Sequence, residues 1–270
     1  MRSLAGRHGV RPSKALGQHF LTDPNLSRAI ARDAGVGPGT RVVEVGAGLG
    51  SLTTALADAG AAEVLAIEFD AGMIPALEEV ASSRPSIRVL HADATKLDWP
   101  ATLGEGTWAL CANLPYNVGT SIVLDVLETA TGVERLVVMV QREVGERLAA
   151  RAGEDAYGAV SVRVAYRARA ELVRKVPPTV FWPRPSVGSV IVRLTRLPAP
   201  PVAVEQARLW RVVDEAFAQR RKTMRNALRR LGLEAAEADR VLGEVGVDPA
   251  ARPEVLDLAA FARLAEAIAA

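Results

Sequence analysis

At 270 residues, with 49% hydrophobic and 24% charged side chains and a formal net charge of +2, the chain has the composition of a globular protein of one large or two smaller domains. Its ends lack a long uncharged apolar segment and a signal-peptide core, which argues against a membrane span and for a cytoplasmic protein. A single cysteine, Cys111, leaves no internal disulfide, and the dispersed histidines His8, His19 and His91 give no zinc-ligand spacing, so no metal is implied.

Residues 1–13 carry Arg2, Arg7 and Arg11 without an apolar period and read as a flexible basic arm. The stretch Lys14-Ala15-Leu16-Gly17-Gln18-His19-Phe20-Leu21 follows. Asp23 as cap and Pro24 in the first turn then start a helix that runs to about Gly35. Arg41 to Val45 is the first strand, and Gly46-Ala47-Gly48-Leu49-Gly50 turns it into a helix at Ser51. The dinucleotide fingerprint requires glycine where this chain has Ser51, which disfavours a nicotinamide enzyme. A second strand, 63–67, ends at Glu68, where an acid can accept both ribose hydroxyls of an adenosine; an ordinary surface carboxylate is the alternative. The third strand, 87–91, precedes Asp93, which can accept from an adenine amine or cap a helix. Trp108 to Ala112 is a buried strand with Cys111 as a core thiol, and it delivers Asn113-Leu114-Pro115-Tyr116-Asn117 to its carboxyl end. Pro115 fixes its own φ and pushes Leu114 towards an extended conformation, aiming acceptors beside an aromatic ring, as a flat amine-bearing substrate requires. A helix over 119–129 and a fifth strand over 135–140 complete the alternation.

Strands alternating with helices define an α/β fold with a doubly wound parallel sheet that binds ligands outside the carboxyl ends of its strands. The glycine loop, Glu68, Asp93 and Asn113 all fall at such ends. From Gly158 the alternation of Val160, Val162 and Val164, and again Val187 to Leu194, predicts antiparallel strands closing the sheet. Between them, prolines stiffen a loop that presents Phe181 either to the core or to an active site. Leu197 to Pro201 is a stiff linker, which sets the expected boundary between a domain over 1–197 and an all-helical domain over 202–270. In the latter, Leu209 to Phe217 keep helical spacing, and further helices are expected near 223–231, 235–245 and 255–269. Arg220, Arg221, Lys222, Arg225, Arg229 and Arg230 crowd this region, as a solvated face or as a nucleic-acid footprint.

Five of these stretches together resemble the ribosomal RNA adenine dimethyltransferase family, and within it the branch that acts on the small subunit. They are Lys14 to Leu21, Glu44-Val45-Gly46-Ala47-Gly48-Leu49-Gly50, Asn113-Leu114-Pro115-Tyr116-Asn117, Phe181-x-Pro-x-Pro and Arg220-Arg221-Lys222-Thr223-Met224-Arg225-Asn226. In the segment after Phe181-x-Pro-x-Pro the family usually has an aspartate and often a lysine, where this chain has Ser186 and Gly188. The resemblance implies a Rossmann-like S-adenosylmethionine-dependent methyltransferase sheet with a small C-terminal all-helical domain. It also implies transfer of two methyls to each of two adjacent adenines near the 3′ end of small-subunit RNA, with the immature small ribosomal subunit as partner; nothing in the sequence demands more than a monomer.

Carried over to this chain, the resemblance puts His19 and Leu21, with Gln18 nearby, over the cofactor. Gly46 and Gly48 lie in the loop under its methionine end, Glu68 on its ribose and Asp93 on its adenine, and Asn113 borders both cofactor and target base. The chemistry expected of the motif is acceptance of the amine hydrogens by Asn113 and a carbonyl of Leu114 or Pro115, with Tyr116 and Phe181 stacked on the base. Arg220, Arg221, Lys222 and Arg225 are the expected RNA contacts. Two rival readings are a large-subunit methyltransferase of the macrolide-resistance type and a ribosome-assembly factor that binds without catalysis. Asn117, where the large-subunit enzymes usually have histidine, and Arg220-Arg221-Lys222 favour the small-subunit branch.

Overall fold

A computed structural model of the chain describes residues 2–13, 17–115 and 117–268. In chain order the strands are β1 (Phe20–Leu21), β2 (Arg41–Val45), β3 (Glu63–Glu68), β4 (Ile87–His91), β5 (Trp108–Asn113), β6 (Val133–Gln141), β7 (Ala168–Val176), β8 (Phe181–Trp182) and β9 (Ser189–Arg196). Helices α1 (Arg2–Arg7), α2 (Pro24–Asp33), α3 (Ser51–Asp58), α4 (Ile74–Ser82), α5 (Trp99–Leu103), α6 (Gly119–Thr129) and α7 (Arg142–Ala149) are interleaved with them. The chain packs as two compact units, residues 1–145 with 170–196, and residues 146–169 with 197–270.

Seven strands form the sheet of the first unit in the order β4-β3-β2-β5-β6-β9-β7. From β4 to β6 every pairing is parallel, and β9 then runs antiparallel to β6. Parallel strands are covered on both faces, which is why β2, β3 and β5 read as near-continuous apolar runs and are buried along almost their whole length. After β2 the chain moves outward to β3 and β4, then returns to place β5 on the other flank of β2. This reversal opens a crevice at the carboxyl ends of β2 and β5. Local chemistry starts the helices as the residues dictate: Asp23 accepts from the Asn25 N–H at 2.8 Å with Pro24 behind it, and α6 covers the expected 119–129.

Three expectations need correction. The N-terminal residues are not a free arm: Arg2–Arg7 is helical, Ala5 is buried with Phe20, Leu49, Met73 and Ala76, and Arg7 and His8 both bond to Glu79 on α4. Ala5 supplies the apolar anchor that the basic composition masks. The second correction concerns Val160, Val162 and Val164, which lie not in a strand but in helix α8 (Ala159–Arg167). Over so few residues periods of 2 and 3.6 overlap, and packing decides. Val162 and Tyr166, one helical turn apart, are both buried in the apolar cluster of the second unit, with the Tyr166 ring 5.0 Å from that of Trp210. The strand next to β9 is instead β7, whose charged surface hides it from a hydrophobic pattern. In consequence residues 146–169, expected in the N-terminal domain, pack with the C-terminal helices. That unit is completed by α9 (Gln206–Ala218), α10 (Met224–Arg230), α11 (Ala235–Glu244) and α12 (Leu258–Ala267), around Leu209, Val213, Leu228, Leu242 and Phe261.

Gly145 on α7 faces β9 so closely that a Cβ would stand 2.2 Å from Val190 Cγ2 and 3.0 Å from Val192 Cγ2. Gly145→Ala should therefore destabilise the sheet unit by about 1–3 kcal/mol through overpacking. Urea denaturation checks it: the midpoint should fall, and an unchanged midpoint would contradict the packing described.

Candidate active site

The crevice is a cleft of about 290 Å³ at the carboxyl ends of β2, β3 and β5, roofed by residues 17–21. Its floor is the turn after β2. Gly46, at φ +74°, donates its N–H to the Ile67 carbonyl at 2.9 Å, and Ala47 donates to the same oxygen at 3.1 Å, so the turn is tied to β3. A Cβ on Gly46 would lie 3.6 Å from the Asn113 carbonyl oxygen, which places the glycine turn directly beside the tip of β5. Gly48 is at φ +55°, with the Phe20 ring 3.1 Å from where a Cβ would be.

Three carboxyls line this cleft. Glu68 accepts from the Gly48 N–H at 2.7 Å through Oε2 and from the Asp70 N–H at 2.8 Å through Oε1, leaving each oxygen a second lone pair. Burial pushes its carboxyl above the ordinary range, opposed by those N–H groups. Asp93 accepts from the Thr95 hydroxyl at 2.7 Å and the Thr95 N–H at 3.0 Å, which hold its carboxyl low, so it caps a short turn as well as lining the cleft. Glu44, inside β2, is the third, and it was passed over in the sequence. The available signal was a lone charge within a run of valines that a parallel sheet covers on both faces. It is 2% exposed, and its Oε2 has no hydrogen-bond partner among the described residues. Burial pushes it up to about 8, with Thr53 on α3 opposing and Glu68 adding to the rise. Phe69, beside Glu68, was also missed; it lines the cleft while 56% exposed, an apolar ring held open to a ligand.

At the tip of β5 the Asn113 Nδ2 donates to the His19 carbonyl at 2.8 Å. That acceptor fixes the amide's orientation and leaves Oδ1 as the group available to a donor. The Leu114 N–H is tied to the Met139 carbonyl at 3.0 Å, while the Pro115 carbonyl takes the Gly119 N–H at 3.0 Å as α6 begins. Between the two carbonyls expected to receive an amine, Leu114 is therefore the less committed, accepting no bond among the described residues. Residues 17–21 are pinned across the cleft by Gln18 Nε2 to Asp70 Oδ2 at 2.7 Å, by His19 Nδ1 to the Pro183 carbonyl at 2.8 Å, and by pairing of Leu21 with Phe181. Since Pro183 offers only an acceptor, His19 carries its hydrogen on Nδ1.

Gln18, His19, Leu21, Gly46, Gly48, Glu68, Asp93, Asn113, Leu114 and Pro115 thus share one cleft. Phe181 does not join them: it is 5% exposed in the apolar cluster with Leu21, Val176 and Ile191, beneath the roof rather than in the cleft. Tyr116 and Lys14 lie outside the described residues.

In the helical unit the arginine cluster divides. Arg220 is held by Glu254 at 3.2 Å and by the Asp155 carbonyl, Arg225 by Asp239, and Arg230 by Glu215. Arg221, Lys222 and Arg229 are exposed and make no ion pair among the described residues, and Lys222 and Arg229 line a groove with Gln219 and Asn226.

A seven-stranded sheet in which β9 runs antiparallel to β6, with a glycine turn after β2 and an acid at the end of the next strand, β3, defines a Rossmann-like methyltransferase fold. The chain belongs to the ribosomal RNA adenine dimethylase family, whose model matches residues 10–270. Ribosomal RNA small subunit methyltransferase A of Thermobifida fusca (strain YX) is 47% identical, covering 98% of this chain and 93% of its own length. Its namesake in Moorella thermoacetica is 44% identical, over 98% of this chain and 96% of that one. Among solved structures, the 23S rRNA methyltransferase ErmE matches at TM-score 0.72 with 27% identity, over 93% of this chain and 100% of that one. A dimethyladenosine transferase from Plasmodium falciparum shares the fold at TM-score 0.78 with 22% identity, over 91% and 96%.

If the Phe20 contact closes the roof, Gly48→Ala should loosen it, because the new methyl strains the turn and meets the ring. Limited trypsin digestion should then cut faster at Arg7, whereas cleavage at the wild-type rate would contradict the coupling.

Proposed function

We infer that this chain transfers methyl groups from S-adenosylmethionine to the exocyclic amines of two adjacent adenines near the 3′ end of small-subunit ribosomal RNA, acting as a monomer on immature small subunits in the cytoplasm. The observation that carries the reading is the Asn113 amide, whose Nδ2 is committed to His19 and whose Oδ1 is left to accept.

An adenine amine is a poor nucleophile because its lone pair is delocalised into the ring. Asn113 Oδ1 and the Leu114 carbonyl would take its two hydrogens, drawing the lone pair out of conjugation without a strong base. The product cation is acidic and returns its proton to these acceptors or to water. When bound, S-adenosylmethionine supplies a methyl group on a positively charged sulfur. The cleft fits that donor: Glu44, Glu68 and Asp93 line it and, among the described residues, no lysine or arginine does, the reverse of what a pyrophosphate would require. Gly46 and Gly48 would let the backbone approach the methionine end, Glu68 would take the ribose hydroxyls with its spare lone pairs, and Asp93 would take the adenine amine. Gln18, His19 and Leu21 would cover the donor, and Phe69 would offer its ring to the purine. Tyr116 is the aromatic the motif supplies to the target base, for about 1–3 kcal/mol of stacking.

Arg221, Lys222 and Arg229 are the groups free to meet RNA phosphates. Identities of 47% and 44% to small-subunit enzymes, against 27% to ErmE, favour the small-subunit target, as does Asn117.

Asn113→Ala should lower methyl transfer to immature small subunits by at least about 100-fold, the scale of losing one oriented transition-state contact, while RNA binding persists. Labelled-donor assays and filter binding separate the two, and near-normal transfer would contradict the role. Arg221→Glu should weaken RNA binding and flatten its salt dependence by about 0.7–0.9 per lost phosphate contact. Arg225→Glu, whose partner is Asp239, should change that slope less; equal effects would contradict the division of the cluster.

A further inference from the structure

Glu44 is the one carboxyl in the cleft with a buried oxygen that has no hydrogen-bond partner among the described residues, although Thr53 on α3 partly stabilises its charge. Glu68 is engaged by two backbone N–H groups and Asp93 by Thr95, whereas Glu44 Oε2 is buried and unpartnered among the described residues, as is the Thr53 hydroxyl beside it. A buried polar atom without a partner is costly, and the cost calls for a ligand or a proton. Among the described residues, the groups packed around it carry no fixed positive charge. On β3 the neighbouring acid is Glu68, on β5 the residue in register is Cys111, and α3 contributes Thr53. Burial, and then the Glu44 charge, push the Cys111 thiol far up, so it stays neutral. His19 in the roof is the only basic side chain lining the cleft among the described residues, and its Nδ1 is held by Pro183.

We propose that Glu44 is the counter-charge for the positive charge of the methyl donor, and that its carboxyl gives up a proton to solvent when the donor binds. This rests on the donor reading above. In the free protein the acid is neutral at pH 7, because burial has raised it to about 8. A cation brought into the same low-dielectric cleft stabilises the carboxylate form and lowers that value, so binding releases a proton. The sign follows: below about pH 8 the donor must displace a proton, and affinity rises with pH; once Glu44 is ionised in the free protein the gain stops. Measurements belong below about pH 7.5, because a free α-amino group titrates at about 7.7–8.0.

Isothermal titration of the full-length chain with S-adenosylmethionine at pH 6.5, in phosphate and in imidazole buffers, reads the proton from the difference in heats. Wild type should release close to one proton per donor bound, and its affinity should rise about tenfold per pH unit between pH 6 and 7.5. Glu44→Gln, a neutral mimic of the protonated acid, should unfold at the wild-type temperature at pH 6.5. It should release no proton, bind with little pH dependence, and bind at least about 30-fold more weakly than wild type at pH 7.5. Donor binding by wild type without proton release would overturn the proposal even if the variant could not be folded, and so would equal release by the variant. No donor binding by wild type would instead overturn the donor reading, and this proposal with it.

Discussion

The parallel pairing of β2 with β5 is the constraint on which the rest depends. Val45 stands in register with Ala112, so the chain leaves both strands at the same height. On one side it must turn away through Gly46, and on the other it delivers Asn113. Because neighbouring strands are filled in opposite directions from β2, a crevice opens where they part, between the two tips. Gly46 bonds outward to β3, and this brings Glu68 to the same edge. The glycine turn with Glu68 and the Asn113 tip are thus two sides of one crevice.

Around that crevice the electrostatics are one-sided. Carboxyls on successive strand ends, without an arginine or lysine among the lining residues described, make a place for a cation and a poor one for a phosphate. Basic groups are gathered in the helical unit instead, where half of the conspicuous arginine cluster is already neutralised by Glu254, Asp239 and Glu215. Exposed pairs of this kind contribute little stability, yet they set which cations remain for a polyanion. The two charge patterns suit the two substrates of a methyl transfer to RNA, a sulfonium on one side and a phosphate backbone on the other.

Much of this was legible before any coordinates. Strand, glycine turn and helix announce themselves through Val42, Val43, Gly46 and Gly48, and the acids at 68 and 93 fall at strand ends because the alternation of apolar runs fixes where strands stop. Features decided by tertiary packing were not legible. The valines of 160–164 satisfy two periods, and only burial of Tyr166 against Trp210 selects the helix. A basic N-terminus gives no hint that Ala5 is anchored among Phe20 and Met73. Phe181 could face a cleft or a core, and its pairing with Leu21 resolves it to the core. Glu44 was hidden for the opposite reason: a single acid in a strand of valines looks incidental until its oxygen is seen to lack a partner.

The central claim is that this cleft places methyl groups on adenine amines of small-subunit RNA, and the most direct measurement is where those groups go. Ribosomes from cells lacking the chain, and from the same cells with it restored, can be read by primer extension along both ribosomal RNAs, since a dimethylated amine blocks base pairing. The account predicts that restoring the chain creates stops at two adjacent adenines near the 3′ end of the small-subunit RNA and leaves large-subunit RNA unchanged. A stop that appears in large-subunit RNA, or no new stop in either, would contradict it.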